Sequence, residues 1–395
     1  MNDPLAYLSE QLAAWRKAGT YQSLRILESE SAPRSRFDGR EVINLASNNY
    51  LGLTTHPKLR QAAIDATSQY GVGSGAVRTI SGTMSIHMQL EERISEFKRV
   101  EASVVFQSGF AANAGTVAAI LGPEDHIISD ELNHASIIDG CRLSKAKIHV
   151  FSHKDAAAAA KILAGLDGAP GRKLLVSDGV FSMDGDIAPL PALVEIAERH
   201  GAIMMVDDAH SSGVLGRAGR GTVDHFGLHG RVHIQVGTLS KAIGVLGGYV
   251  CGSRHLIDFL YARARPFLFS TSHPPAVAAS CLAAFDVLEQ ETNLIASLWD
   301  NTHYFKKALA DAGFDTGMSE TPITPIMVGE AKRAHEFSRA LFEEGLLATG
   351  IGFPTVAEGK ARIRTIVTAT HTRDQLDRAI EILTRVAKSI GILPA

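Results

Sequence analysis

From about residue 100 the chain repeats one pattern. Short, nearly unbroken apolar runs alternate with helical stretches. The runs are SVVFQSG, HIISD, KIHVFSH, KLLVSDGV, IMMVDDAH, HIQVGTLSK and GGYVCGS. A strand with one face in water alternates apolar with polar residues. Strands that stay apolar at successive positions are buried on both faces, as in a parallel sheet covered by helices. The pieces between them, such as ALVEIAERHG at 192–201, carry helical spacing and stop at Gly. The fold class read from this is α/β, with a mostly parallel central sheet.

The flanks differ. Residues 1–30 read as a helical segment, with apolar positions near Leu5, Leu8, Leu12 and Trp15. SESAPRSRFDGREV is polar, holds Pro and Gly, and reads as a loop or short hairpin. After about residue 275 come long helical stretches, then the strand PITPIMVG, the helix AHEFSRALFEEG, the strand ARIRTIVTAT and a last helix. Thr372 and Gln375 have the spacing of a capping box at its start. Leu376, Ile380, Leu383, Ala387 and Ile390 follow a 3/4 spacing along it. The expected organisation is an N-terminal segment (1–46), a large domain (47–275) and a smaller α+β C-terminal domain (276–395).

Bulk properties narrow the function classes. The net charge is −3 and the two signs are interspersed, so no basic field points to nucleic acid or a membrane surface. Three cysteines, Cys141, Cys251 and Cys281, lie far apart and show neither a disulfide framework nor zinc spacing. They fit a reducing compartment. The first residues lack the basic-then-apolar layout of a secretory signal, and no run approaches the ~18 apolar residues of a membrane span. The expectation is a cytoplasmic protein with small-molecule substrates, no metal, no nucleic acid and no membrane.

GVGSGA at 71–76 fits the dinucleotide fingerprint G-x-G-x-x-A. That motif works only between a strand and a helix. Here a helical pattern precedes it and VRTISGT follows, so it reads as a closely packed glycine loop. A nicotinamide-dependent oxidoreductase, the alternative from another class, lacks a fingerprint in the right context.

Polar groups do gather where three apolar runs end: Ser177–Ser182, Asp207–His210 and Thr238–Lys241. In open α/β sheets ligands bind beyond the carboxyl ends of the strands. Taken singly, each has an ordinary reading: a helix cap, a structural histidine, a lysine reaching water. Together they suggest a partly buried lysine whose amine is a usable nucleophile, the requirement for a Schiff-base lysine. The cofactor that most often uses one is pyridoxal 5′-phosphate (PLP). It needs the lysine, an acid at its ring nitrogen and a phosphate cradle. Gln107–Asn113 follows a strand and opens a helical stretch, so Gly109 marks a candidate anion site.

At this level of detail the chain resembles the α-oxoamine synthases, PLP-dependent transferases of fold type I. The likeness spans about residues 20–390. It rests on SNNYLGL, GSGAVRTISGT, SGFAANAG, SDELNHASIIDG, DGVFSMDGD, VDDAHSSGVLG, GTLSKAIG, RPFLFSTS and KARIRT. The resemblance implies that Lys241 holds the cofactor and that Asp207 pairs with its ring nitrogen. It implies that His210 bonds its phenolic oxygen and that His134 stacks on the ring and assists catalysis. Gly109, Phe110 and Thr238 are expected at the phosphate, with Ser182 near the ring's polar edge. Ser270 and Thr271 are expected to reach the phosphate of a partner subunit in a homodimer. Arg364 and Asn49 are expected at the amino-acid carboxylate, and Arg25 and Thr355 at substrate. Arg362 is expected on the opposite face of the strand from Arg364. The implied reaction joins an amino acid to an acyl-CoA. The overall pattern leans toward the glycine C-acetyltransferases (2-amino-3-ketobutyrate CoA ligases), which use glycine and acetyl-CoA in threonine degradation. SGFAAN reads more like the 8-amino-7-oxononanoate synthases of biotin synthesis, which use alanine and a pimeloyl thioester. A broad-specificity member is a further alternative.

Overall fold

The computed structural model describes residues 3–18, 21 and 24–394. The chain forms two compact units. The larger comprises Asn48–Ser182 and Asp186–Ala296, the smaller Met1–Ser47, Met183–Gly185 and Ser297–Ala395.

The smaller unit opens with the helix α1 (Ala6–Ala18), shorter than the helical segment expected over 1–30 and with no buried residue. The polar stretch after it is a hairpin of β1 (Arg34–Phe37) and β2 (Arg40–Asn44). Its two-residue turn is Asp38–Gly39, with φ of 50° and 78°. Positive φ at both positions is what a hairpin turn matched to strand twist requires.

The larger unit contains the sheet foreseen in the apolar runs. Its strands are β3 (Ala102–Phe106), β4 (His126–Asp130), β5 (Lys147–Phe151), β6 (Lys173–Asp178), β7 (Ile203–Asp207), β8 (Ile234–Thr238) and β9 (Gly248–Gly252). They lie in the order β3-β9-β8-β7-β6-β4-β5. The pairs from β8 through β7, β6 and β4 to β5 are parallel, and β9 is antiparallel to both its neighbours. Successive residues feed two cores. Leu174, Val176, Met205, Val236 and Val250 pack with Val117 and Ile137. Leu175, Met204 and Val206 pack with Leu163, Leu193 and Val194. This two-sided burial explains the nearly unbroken apolar runs of the central strands.

Within the larger unit the helices α2 (Pro57–Tyr70) and α3 (Ser85–Lys98) precede the sheet. The loop GVGSGA leaves α2 through Gly71 at φ 79°, so no strand precedes it and the dinucleotide reading is excluded. The helix Pro275–Gln290 joins the larger unit rather than starting a C-terminal domain at 276. It packs on α2 and α3, with Ser280 donating to Leu59 O at 3.2 Å and the rings of Phe97 and Phe285 5.0 Å apart.

In the smaller unit, β10 (Ile323–Gly329), β12 (Thr349–Ile351) and β13 (Ala361–Ile366) form an antiparallel sheet, while β11 (Leu346–Leu347) pairs in parallel with β2. That pairing ties the N-terminal segment to the C-terminal residues. The last helix, Arg373–Ser389, carries the expected capping box, Thr372 with Gln375. It buries Leu376, Ala379, Leu383 and Ala387 in the unit's core, whereas Ile390 lies beyond its end. Among the described residues no helix is long and apolar enough to cross a membrane.

Candidate active site

The site lies in the larger unit, where parallel strands end. Asp178 closes β6 and Asp207 closes β7, in register with each other. Asp207 is 3% exposed. Its Oδ1 accepts from Ala209 N–H at 2.8 Å, and its Oδ2 from the Asn113 amide at 2.6 Å. Asn113 lies on α4 (Gly109–Ile120), the helix that follows β3, and also donates to Ser136 Oγ at 2.9 Å. Its own Oδ1 is buried and has no hydrogen-bond partner.

The first turn of α4 faces the end of β8. Ser108 caps the helix by accepting from Ala111 N–H. A Cβ on Gly109 would lie 3.4 Å from Thr238 Cβ, so the bare backbone here leaves room between helix start and strand end. Thr238 is fixed by donating to Gly247 O at 2.9 Å. The first backbone N–H groups of a helix have no partner within it and favour an anion. Phe110 is exposed beside them.

His134 precedes α5 (Ala135–Ser144). Its Nδ1 accepts from Ser136 N–H at 3.2 Å, which leaves the proton of the neutral ring on Nε2. Its backbone N–H donates to Asp178 Oδ2 at 2.7 Å. One side of the residue is open to solvent, but the protein around the rest of the ring lowers its pKa. Asp207 opposes that shift and Lys241 adds to it. Asp178 is fully enclosed. Burial, then the charge of Asp207, pushes its carboxyl well above the usual range, while the His134 N–H and Lys241 pull it down. Lys241 is therefore within electrostatic reach of both His134 and Asp178. His210, 6% exposed, shares a 2.7 Å hydrogen bond between its Nδ1 and the hydroxyl of Tyr50.

Of the residues singled out in the sequence, Gly109, His134, Asp207, Thr238 and Lys241 converge in this way. Ser182 is half-buried in the turn after β6. Ser270 and Thr271 lie on the segment whose Thr271 carbonyl accepts from the Gln107 amide at 2.8 Å, just before the α4 cap. Asn49 is buried and donates to Thr54 Oγ1 at 2.6 Å. The other substrate candidates belong to the smaller unit. Arg25 pairs with Asp38 at 2.9 Å and stacks over the Phe342 ring. Thr355 is exposed. Arg364 lies on β13 opposite Pro325 and Thr349. Arg362 does not face away from it, because residues two apart on a strand project to the same side. What separates them is their partners: Arg362 is 4% exposed and donates to Asp184 and to Met183 O.

Sequence reasoning missed Asn113 and Tyr50 as site residues. The signal for Asn113 was one amide inside the otherwise small and apolar stretch AANAGTVAAI. Tyr50 stood inside the quoted motif SNNYLGL, where nothing marked it for a role of its own.

PLP fits these residues. An orphaned, buried amide oxygen beside a buried carboxylate suits a charged N–H donor such as a protonated pyridine nitrogen. The Gly109 turn suits a phosphate, and Lys241 can anchor an aldehyde.

Comparison with known proteins agrees. The model of aminotransferase class I and II matches residues 40–383. An 8-amino-7-oxononanoate synthase of Symbiobacterium thermophilum is 60% identical over 98% of this chain and 99% of its own. The 8-amino-7-oxononanoate synthase 1 of Bacillus subtilis is 53% identical over the full length of both. Among solved structures, a serine palmitoyltransferase from S. paucimobilis with PLP and myriocin bound matches at TM-score 0.94 and 30% identity, over 99% of this chain and all of that one. The lean toward glycine C-acetyltransferase is thereby corrected: relatives at 52–60% identity over nearly the whole chain carry the other name. The motif SGFAAN pointed the right way. The chain belongs to the aminotransferase class I and II family and, within it, to the PLP-dependent α-oxoamine synthases of fold type I.

Proposed function

We propose that this enzyme is an 8-amino-7-oxononanoate synthase, joining L-alanine to a pimeloyl thioester. The observation that carries the reading is the shared name of relatives that match along nearly the entire chain. Carbon counting gives the balance. A three-carbon amino acid and a seven-carbon acyl group give a nine-carbon product only if one carbon leaves as CO2. The thiol carrier leaves when the new C–C bond forms.

PLP, when bound, takes up the electron pair that develops at the Cα of the amino acid. The chain's own groups do the rest. Lys241 would anchor the cofactor, and its amine would take the Cα proton of the amino acid. Asp207 would hold a proton at the ring nitrogen, and His210, held by its hydrogen bond to Tyr50, would bond the phenolic oxygen. Neutral His134 donates from Nε2 toward the oxygen that gains charge as the thioester is attacked. Gly109, Phe110 and Thr238 receive the phosphate, with Ser182 near the ring. Arg364 and Asn49 bind the amino-acid carboxylate, the guanidinium offering a planar two-point grip. Arg25 and Thr355 are the further substrate contacts. The working form is a homodimer, in which Ser270 and Thr271 serve the partner subunit's phosphate.

The test is thiol release from pimeloyl-CoA with L-alanine, with the amine product identified by mass. A nine-carbon amino-keto acid, formed at least about tenfold faster than any product from glycine and acetyl-CoA, is expected. No nine-carbon product would sink the reading. The mass in solution checks the dimer.

A further inference from the structure

Lys98 is the last residue of α3, where a lysine normally reaches water, yet it is 1% exposed. A lysine this buried needs a partner. Its Nζ donates to Asp208 Oδ2 and to Arg220 O, both at 2.6 Å. Burial lowers its pKa, but the Asp208 carboxylate outweighs that and holds the ammonium charged. The other oxygen of Asp208 is just as engaged. Its Oδ1 accepts from Ser211 Oγ at 2.5 Å, from Thr222 N–H at 3.2 Å and from the Thr222 hydroxyl. Two glycines make room. A Cβ on Gly221 would overlap Asp208 Oδ2 and Lys98 Nζ, and one on Gly179 would overlap Thr222 Oγ1 and Asp208 Oδ1.

Asp208 is thus the hub of a turn, and the turn carries two groups of the site. Asp207 precedes it and His210 follows it. The backbone is tied at the same residue: Asp208 N–H donates to Val236 O, and Ser211 and Ser212 N–H both donate to Asp208 O. Without a cation, the Asp208 carboxylate would have to take a proton or swing toward water. Either change would disturb the hydrogen bonds that Asp208 makes within the turn between Asp207 and His210.

We propose that Lys98 is a positioning residue for the cofactor site: by pairing with Asp208 it sets the turn that presents Asp207 and His210. This rests on the reading of those two side chains as cofactor contacts.

The test uses the full-length protein with Lys98→Met and with the double change Lys98→Met/Asp208→Asn, which leaves no unpaired buried charge. PLP is titrated into each PLP-free protein while the visible band is followed, and each PLP-free protein is melted separately. The double variant is expected to melt within about 3 °C of the native protein. It should nonetheless bind PLP about tenfold or more weakly, with a displaced band. Binding within about twofold of native, with an unchanged band, overturns the proposal, because Lys98 is then structural only. Failure of both variants to fold overturns it in the same way. Asp207→Asn is measured in parallel. If it binds PLP like the native protein, the site reading itself falls, and the proposal falls with it for that separate reason.

Discussion

Asp178 and Asp207 stand side by side at the carboxyl ends of two parallel strands, in register and both buried. Two carboxylates this close and out of water do not both carry charge cheaply. Burial and the Asp207 charge raise the pKa of Asp178 well above its ordinary value. The folded, PLP-free protein therefore binds a proton that the unfolded chain releases near pH 4. Stability should fall as the pH rises from there toward the folded pKa. Asp178→Asn imitates the protonated group. In urea unfolding of the PLP-free protein, its advantage over the native chain should grow from about pH 5 to about pH 8. An advantage that does not change with pH would contradict the assignment.

Gly109→Ala separates folding from cofactor binding. The added methyl would meet Thr238 Cβ at 3.4 Å, an ordinary contact, and the backbone there is not left-handed. The PLP-free protein should keep its stability to within about 1 kcal/mol. The methyl does occupy the space beside the first turn of α4, where a phosphate must approach backbone N–H groups. The dissociation constant for PLP should rise about tenfold or more. Equal PLP binding by the variant would remove Gly109 from the cradle.

These two sites also mark what the sequence reveals and what it hides. LLV at 174–176 and IMMV at 203–206 are unbroken apolar runs because both sheet faces are covered, so the central sheet is visible in a run of letters. Asp207 and Thr238 are visible because each breaks such a run abruptly. Lys98 is not. At the end of an amphipathic helix it reads as a solvent-facing charge that suits the helix dipole. Its burial depends on a turn 110 residues away. The helix Pro275–Gln290 was legible but its place was not, for the same reason: its apolar residues show that it packs, but not that α2 and α3 are what it packs against. The insertion of β9 between β3 and β8 is likewise a property of pairing, which local periodicity does not encode.

Arg362 and Arg364 share one side of β13 and should fail in different ways. Arg362 is buried and donates to Met183 O, Asp184 and Lys360 O. Asp184 is partly solvated, so Arg362→Met should cost about 2 kcal/mol of stability rather than the larger loss of a fully enclosed pair. Its KM for the amino acid should change little. Arg364→Met should instead raise that KM about 10- to 100-fold, the worth of a charge-assisted grip on a carboxylate. Steady-state kinetics and thermal unfolding of both variants test this. The opposite pattern would make Arg364 the structural residue.

His153 links the ends of β4 and β5 to the loop that carries Ser182. Its Nδ1 donates to Asp130 Oδ1 at 3.1 Å and its Nε2 to Asp186 Oδ2 at 2.9 Å. Only an imidazolium donates from both nitrogens. Lys154 faces the same cluster, 3.1 Å from Asp186, and the Phe181 ring meets the imidazole edge-on at 4.4 Å. Burial opposes the charge, but the two carboxylates outweigh it and lift the pKa to about 9. A histidine raised in the folded state adds stability that is complete below its unfolded pKa, near 6.5, and is lost as the pH rises through the folded value. The shift alone would allow about 3 kcal/mol, and partial solvation of the cluster reduces this to roughly 1–2 kcal/mol. His153→Gln keeps a polar side chain but not the charge. In urea unfolding it should trail the native protein most at about pH 6 and converge with it near pH 10. A deficit of constant size across that range would show that His153 holds the loop by shape and hydrogen bonding, not by its charge.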